Sequence, residues 1–102
     1  MLELHPNCEN CDKDLPPEST EACICSYECT FCTACVEGIL QNVCPNCGGG
    51  FSARPIRPAK ELRNGVGLQH QPASTKRVRT VLTETEIIEF AASVKDTQPE
   101  NR

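Results

Sequence analysis

The chain has no tryptophan, and only four of its 102 residues are aromatic: Tyr27, Phe31, Phe51 and Phe90. A domain of this length buries a modest share of its surface, so a sequence this poor in large apolar side chains cannot rely on a hydrophobic core alone. It has no run of 18 apolar residues, which argues against a membrane-spanning helix. The opening MLELHPNCEN has neither a basic n-region nor an apolar h-region. No export signal is therefore expected, and the expected location is the cytoplasm. A glycine-rich phosphate loop is missing as well, and the chain is too short for a two-layer nucleotide-binding domain. After Cys47 there is no further cysteine.

Before that point there are nine, all between Cys8 and Cys47. The charges are segregated too. Residues 1–50 carry eight carboxylates and one lysine, residues 51–79 seven cations and one glutamate, and residues 80–102 five carboxylates and two cations. The net charge of −4 conceals this acidic–basic–acidic order.

The signals for folding lie mainly in the first block. Leu2 and Leu4 alternate with polar residues, as in a short strand. Ala22–Ser26 and Thr30–Phe31 fit two strands of a hairpin, with Tyr27 and Glu28 near the turn. Thr33–Asn42 reads as a short helix with Cys35, Val36, Ile39 and Leu40 on one face, weakened by Gly38. Gly48–Gly50 reads as a flexible joint, with Phe51 and Ile56 folding back on the first block. The Pro-containing, apolar-poor stretch beyond about residue 60 predicts disorder. One further helix is expected at residues 84–94. Thr83 and Glu86 match a capping box, and Ile87, Ile88, Phe90, Ala91 and Val94 follow. An isolated helix of that length is marginal in water and needs a partner.

The cysteines form overlapping Cys-x-x-Cys pairs: Cys8/Cys11, Cys29/Cys32, Cys32/Cys35 and Cys44/Cys47. A disulfide framework would need an oxidising compartment, and an odd number of thiols leaves one over. Metal binding fits better, because a Cys-x-x-Cys turn aims two thiolates at one ion and two such turns complete a tetrahedron. Soft thiolates in that geometry select zinc, with an iron–sulfur cluster as the alternative. Eight ligands make two Zn2+ sites and leave either Cys23 or Cys25 spare. Cys25 gives the tighter loop to Cys29 and is the expected ligand. Cys23 is then a free thiol, and His5 is a surface residue. The pairing is open between a sequential and a crossed arrangement.

The cysteine order 8, 11, 25, 29, 32, 35, 44, 47, with the string Phe31-Cys32-Thr33-Ala34-Cys35-Val36 and then Cys44-Pro45-Asn46-Cys47, resembles a RING-type cross-brace, with Cys29 in the place of the usual histidine. The stretches LELHPNCENCDKDLPP, ICSYECTFC and CPNCGGGFSARPIRPA are more specifically similar to a small bacterial family known as domain of unknown function 1272. The resemblance covers about residues 1–60, and the family name carries no activity. The RING resemblance implies one zinc site of Cys8, Cys11, Cys32 and Cys35 and a second of Cys25, Cys29, Cys44 and Cys47. The expected fold is a small metal-stabilised α+β RING-like domain over residues 1–58, with two zinc sites, a short hairpin and one short helix. A mostly disordered, flexible tail is expected over residues 59–102.

Zinc held by four thiolates has no open position for water or substrate, so no enzymatic activity is expected. The leading functional expectation is a monomeric, non-catalytic protein–protein interaction module with no membrane association. The alternative is nucleic-acid binding through the basic segment 54–79, comprising Arg54, Arg57, Lys60, Arg63, Lys76, Arg77 and Arg79. Against it, the acidic module would repel phosphates, and no aromatic residues interleave the cations. The RING resemblance also implies a weaker alternative, ubiquitin-ligase-like activity. In such ligases the conjugating enzyme docks on an apolar residue before the second ligand, on a helical aromatic and on the proline of the last pair. Here Asn10 stands in the first place, the helix has no aromatic, and only Pro45 is present.

Overall fold

The hairpin forms close to the expected positions in a computed structural model that describes all 102 residues. Strand β1 (Ala22–Ile24) pairs antiparallel with β2 (Thr30–Cys32) in the register Ala22↔Cys32, Cys23↔Phe31 and Ile24↔Thr30. The β-branched and aromatic side chains of Thr30 and Phe31 suit a strand. The turn between the strands is closed by Glu28 N–H donating to the Cys25 carbonyl at 3.0 Å, with Glu28 at φ 67°. A two-residue strand β3 (Ser52–Ala53) adds to the other edge of β1, giving the order β2-β1-β3.

Helix α1 starts where β2 ends and is shorter than expected, at Thr33–Glu37. Gly38 closes it in a non-helical conformation, and Gln41 and Asn42 both take positive φ, so the chain turns back before completing a second turn. The bend carries Leu40 and Val43 into the core, where they are buried with Leu4, Leu15 and Phe31. Phe51 meets Phe31 edge-to-face, with ring centroids 5.4 Å apart. The return of Phe51 to the first block matches the sequence expectation, whereas Ile56 stays exposed. Leu2 and Leu4 form no strand, although Leu4 is fully buried.

The expected disordered tail is the main correction. Residues 59–102 lie along the module as a strap. Ser74 N–H donates to the Leu4 carbonyl at 3.0 Å and Thr80 N–H to the Glu9 carbonyl at 2.8 Å. Asn7, fully buried, treats the strap as if it were a neighbouring strand. Its Nδ2 donates to the Val78 carbonyl at 2.8 Å, and its Oδ1 accepts from Val78 N–H at 3.3 Å. Helix α2 (Glu84–Val94) follows, with the predicted capping box: Glu86 N–H donates to Thr83 Oγ1, and Thr83 N–H donates to Glu86 Oε1. Its Ile87 and Ala91, one turn apart, are 2% and 1% exposed, and Ile87 belongs to the same core cluster as Phe31 and Leu40. The helix therefore finds its partner within the chain. Burying one isoleucine side chain contributes about 1.5–3 kcal/mol, enough to offset the marginal stability of an isolated helix.

The glycine joint is fixed rather than flexible. Gly48 sits at φ 81° with the Phe90 ring 3.5 Å from where a Cβ would stand. Gly50 packs against Pro99, in the 3-10 turn Pro99–Asn101 that ends the strap.

The basic segment is spent internally, partly within the first block and partly in holding the strap. Arg54 is 3% exposed, and its guanidinium donates to the carbonyls of His5, Leu15 and Pro16 at 2.8–3.2 Å. Burial lowers its pKa from the usual arginine range. Arg57 donates to the carbonyls of Gln71 and Leu2 at 2.7 Å each. Arg77 pairs with Asp12 and Asp14, and Arg79 lies 3.7 Å from Asp12. Low apolar content signals disorder when charges stay solvated; here the cations of one block meet carbonyls and carboxylates of the other. His5 is a smaller correction: only 17% of its side chain is exposed, and its Nδ1 is buried without a partner.

Candidate metal centre

Two Cys-x-Asn-Cys turns, Cys8-Glu9-Asn10-Cys11 and Cys44-Pro45-Asn46-Cys47, are built alike. In the first, Asp12 N–H donates to the Cys8 carbonyl at 2.9 Å and Cys8 N–H to the Lys13 carbonyl at 2.8 Å. In the second, Gly48 N–H donates to the Cys44 carbonyl at 2.7 Å and Cys44 N–H to the Gly49 carbonyl at 2.8 Å. The residue after each turn has positive φ, 65° at Asp12 and 81° at Gly48. Asp is one of the few side chains that tolerates this conformation, and Gly is the other natural choice.

These turns place their sulfurs in two separate groups. The sulfurs of Cys8, Cys11, Cys32 and Cys35 all lie within 4.8 Å of one another. Cys32 caps α1 and Cys35 lies in its first turn, so the helix start presents both to the first turn. Cys11 Sγ and Cys32 Sγ are 3.7 Å apart. Two sulfurs at 2.3 Å from a tetrahedral ion would be about 3.8 Å apart, so this donor set fits such an ion. The second group holds Cys25, Cys44 and Cys47 under the same limit. Cys29 lies close enough to Cys25 and Cys44 to shift their thiol chemistry, but its sulfur stands outside the tight trio. Cys23 is in neither group, and its sulfur is 3.7 Å from Thr33 Oγ1. Grouped sulfurs alternate along the chain. The structure does not bring Cys8, Cys11, Cys25 and Cys29 together as a sequential arrangement would.

The thiols within each group interfere with one another. Burial pushes Cys8 and Cys35 up in the first group and Cys29 and Cys44 up in the second, with the charge of neighbouring thiolates adding to the shift. Burial also raises Cys11 and Cys25, but hydrogen bonds from backbone N–H groups and neighbouring thiols outweigh it and leave both below the usual range. Thiols packed this closely cannot all ionise unless a cation joins them. Tyr27 N–H reaches Cys25 Sγ at 3.3 Å and Gly49 N–H reaches Cys47 Sγ at 3.4 Å.

The residues that the cysteine spacing missed are the two asparagines. Asn10 Nδ2 donates to Cys35 Sγ at 3.3 Å, and Asn46 Nδ2 to Cys29 Sγ at 3.4 Å. Each asparagine of a Cys-x-Asn-Cys turn thus reaches a cysteine contributed by a different segment. The signal was present in the sequence as the repeated string itself. Glu9 was missed as well. It is 6% exposed, accepts from Thr30 N–H through Oε2 at 2.7 Å, and accepts from Asn46 Nδ2 through Oε1 at 3.5 Å.

The cysteine groups fall inside a region shared with known proteins. The family model described as "Protein of unknown function (DUF1272)" matches residues 1–57. A protein of Rhizobium meliloti (strain 1021), described as uncharacterized, is 55% identical over 78 residues, covering 76% of this chain and 86% of the relative. No solved structure matches the chain. No helix is long and apolar enough to cross a membrane. With a family model over more than half its length and a relative this similar, the chain belongs to the DUF1272 family.

Proposed function

We propose that this protein is a double-zinc, RING-like cross-brace module that works by contact with another protein and catalyses no reaction. The observation that supports it is the gathering of seven thiols into two groups that alternate along the chain, with Cys29 beside the second. Cys8, Cys11, Cys32 and Cys35 would hold one ion, and Cys25, Cys29, Cys44 and Cys47 the other. Zinc bound there supplies folding energy to a chain with a small apolar core. Four thiolates per ion leave no coordination position for substrate, which sets hydrolytic chemistry aside. Thiols that must stay reduced to bind metal would suit a cytoplasmic setting.

The burial and pairing of Arg54, Arg57, Arg77 and Arg79 speak against the nucleic-acid alternative, since only Lys60, Arg63 and Lys76 of that segment are left without a protein partner. The ligase alternative is disfavoured by Asn10, whose amide is turned to Cys35 where an apolar docking residue would be needed.

Native mass spectrometry of protein expressed with zinc tests the reading. Two bound ions and a single alkylatable thiol at Cys23 are expected. One ion, or three or more reactive thiols, would overturn the ligand assignment. Affinity capture with the holo protein, compared with a Tyr27→Ser variant that removes the 77% exposed ring at the β1–β2 turn, tests the contact role.

A further inference from the structure

The two sulfur groups are unequal. The first has all four sulfurs within 4.8 Å of one another, whereas the second has only Cys25, Cys44 and Cys47 so placed. What holds the remaining cysteine is a short relay. Cys29 Sγ accepts from Asn46 Nδ2 at 3.4 Å, and the same amide donates to Glu9 Oε1 at 3.5 Å. Glu9 lies between Cys8 and Cys11, inside the turn that serves the first group. Its other oxygen is fixed by Thr30 N–H at 2.7 Å, and Thr30 directly follows Cys29. Its own N–H donates to the Thr30 carbonyl at 3.0 Å. A buried carboxylate of one site therefore sets both the backbone beside Cys29 and the amide that touches its sulfur.

We propose that Glu9 and Asn46 are positioning residues that place Cys29 as the fourth ligand of the second site, so that the second soft divalent ion binds after the first and because of it. This rests on the two-ion reading above. Filling the first site fixes the Cys8–Cys11 turn and with it the Glu9 carboxylate. Glu9 then holds the Asn46 amide, which has one hydrogen for the carboxylate and one for the sulfur. Without the first ion the turn keeps only its own hydrogen bonds, and Glu9 holds the Asn46 amide less firmly. Groups that hydrogen-bond to metal ligands orient those ligands, and their loss typically costs 10–100-fold in metal affinity.

The test uses the full chain, reduced and stripped of metal, titrated with Co2+ and followed by native mass spectrometry, with N-ethylmaleimide labelling mapped to each cysteine. In the wild type, Cys8, Cys11, Cys32 and Cys35 should become protected first, and Cys25, Cys29, Cys44 and Cys47 with the second ion. Asn46→Asp keeps the side-chain shape but loses the donor; Glu9→Gln keeps the size but loses the carboxylate. Asn46→Asp should retain the first ion with unchanged affinity, and both variants should bind the second about 10–100-fold more weakly. A one-ion species should persist, with Cys29 labelled faster than Cys25, Cys44 or Cys47. Equal weakening of both ions in Asn46→Asp, unchanged protection of Cys29 in both variants, or a second site that fills first in the wild type would overturn the relay. A wild type that takes up fewer than two ions would overturn the two-ion reading itself and the relay with it.

Discussion

Asn10 donates through Nδ2 to Cys35 Sγ at 3.3 Å, across 25 residues of sequence. The bond ties the first Cys-x-Asn-Cys turn to the start of α1 without using the metal. It also draws charge from a thiol that burial pushes up. Asn10→Asp should therefore release metal from the first site about 10–100-fold faster, while the second site keeps its own rate. Transfer of zinc to a chromogenic chelator, read in two phases, measures this. Identical phases in variant and wild type would show the bond to be incidental.

Stripping the metal should do more than empty the sites. Structural zinc in small domains supplies on the order of 10 kcal/mol, more than the whole stability of many domains of this size. A chelator under reducing conditions should therefore abolish the cooperative thermal transition seen by circular dichroism. A metal-free protein that still melts cooperatively would show that Phe31, Leu40 and their neighbours suffice alone.

Arg54→Met should lower stability by about 3 kcal/mol. It leaves the buried Leu15 carbonyl and the more accessible carbonyls of His5 and Pro16 without their donor, and a buried unsatisfied group costs about 1–3 kcal/mol. Urea denaturation at constant zinc gives the number. A loss below about 0.5 kcal/mol, the size of ordinary surface substitutions, would contradict the structural role assigned to this arginine.

Ile87→Ala should cost about 2–5 kcal/mol of strap docking, because the side chain is 2% exposed within the core cluster. Limited proteolysis should then cut within residues 59–102 and leave the first block whole. Ile88→Ala is the control, since Ile88 is 44% exposed and its loss should leave the digestion pattern unchanged.

Gly48→Ala tests the second turn. Its φ of 81° is strained for alanine, although the Phe90 ring, 3.5 Å from the Cβ position, leaves room for the methyl group. A loss greater than about 1 kcal/mol is expected by thermal denaturation. Wild-type stability would mean that the turn relaxes away from this conformation.

The sequence was most readable where spacing imposes geometry. The Cys-x-x-Cys pairs pointed to grouped thiols, the Thr83/Glu86 pair pointed to the start of α2, and Ala22–Ser26 with Thr30–Phe31 pointed to the hairpin. All three are local patterns, and local patterns survive folding. The strap was not readable, because its bonds to the first fifteen residues join positions 63–71 apart and many use backbone groups that any sequence possesses. Arg54 shows the difficulty. A cation in a Pro-rich stretch reads as solvated, yet this one lies buried where three carbonyls converge. The shortening of α1 to Glu37 was half visible: Gly38 warned of it, but the positive φ at Gln41 and Asn42 followed from the need to bring Leu40 and Val43 inward.

The strap also has a temporal meaning. A ribosome synthesises a protein from its N-terminus at roughly 5–20 residues per second, so the stretch after residue 57 takes about 2–9 s to emerge. Asn7, Glu9 and Asp12 cannot meet Val78, Thr80 and Arg77 until then. For those seconds the first block has only its own contacts to hold it. The strap can therefore add its hydrogen bonds only after the first block has been synthesised.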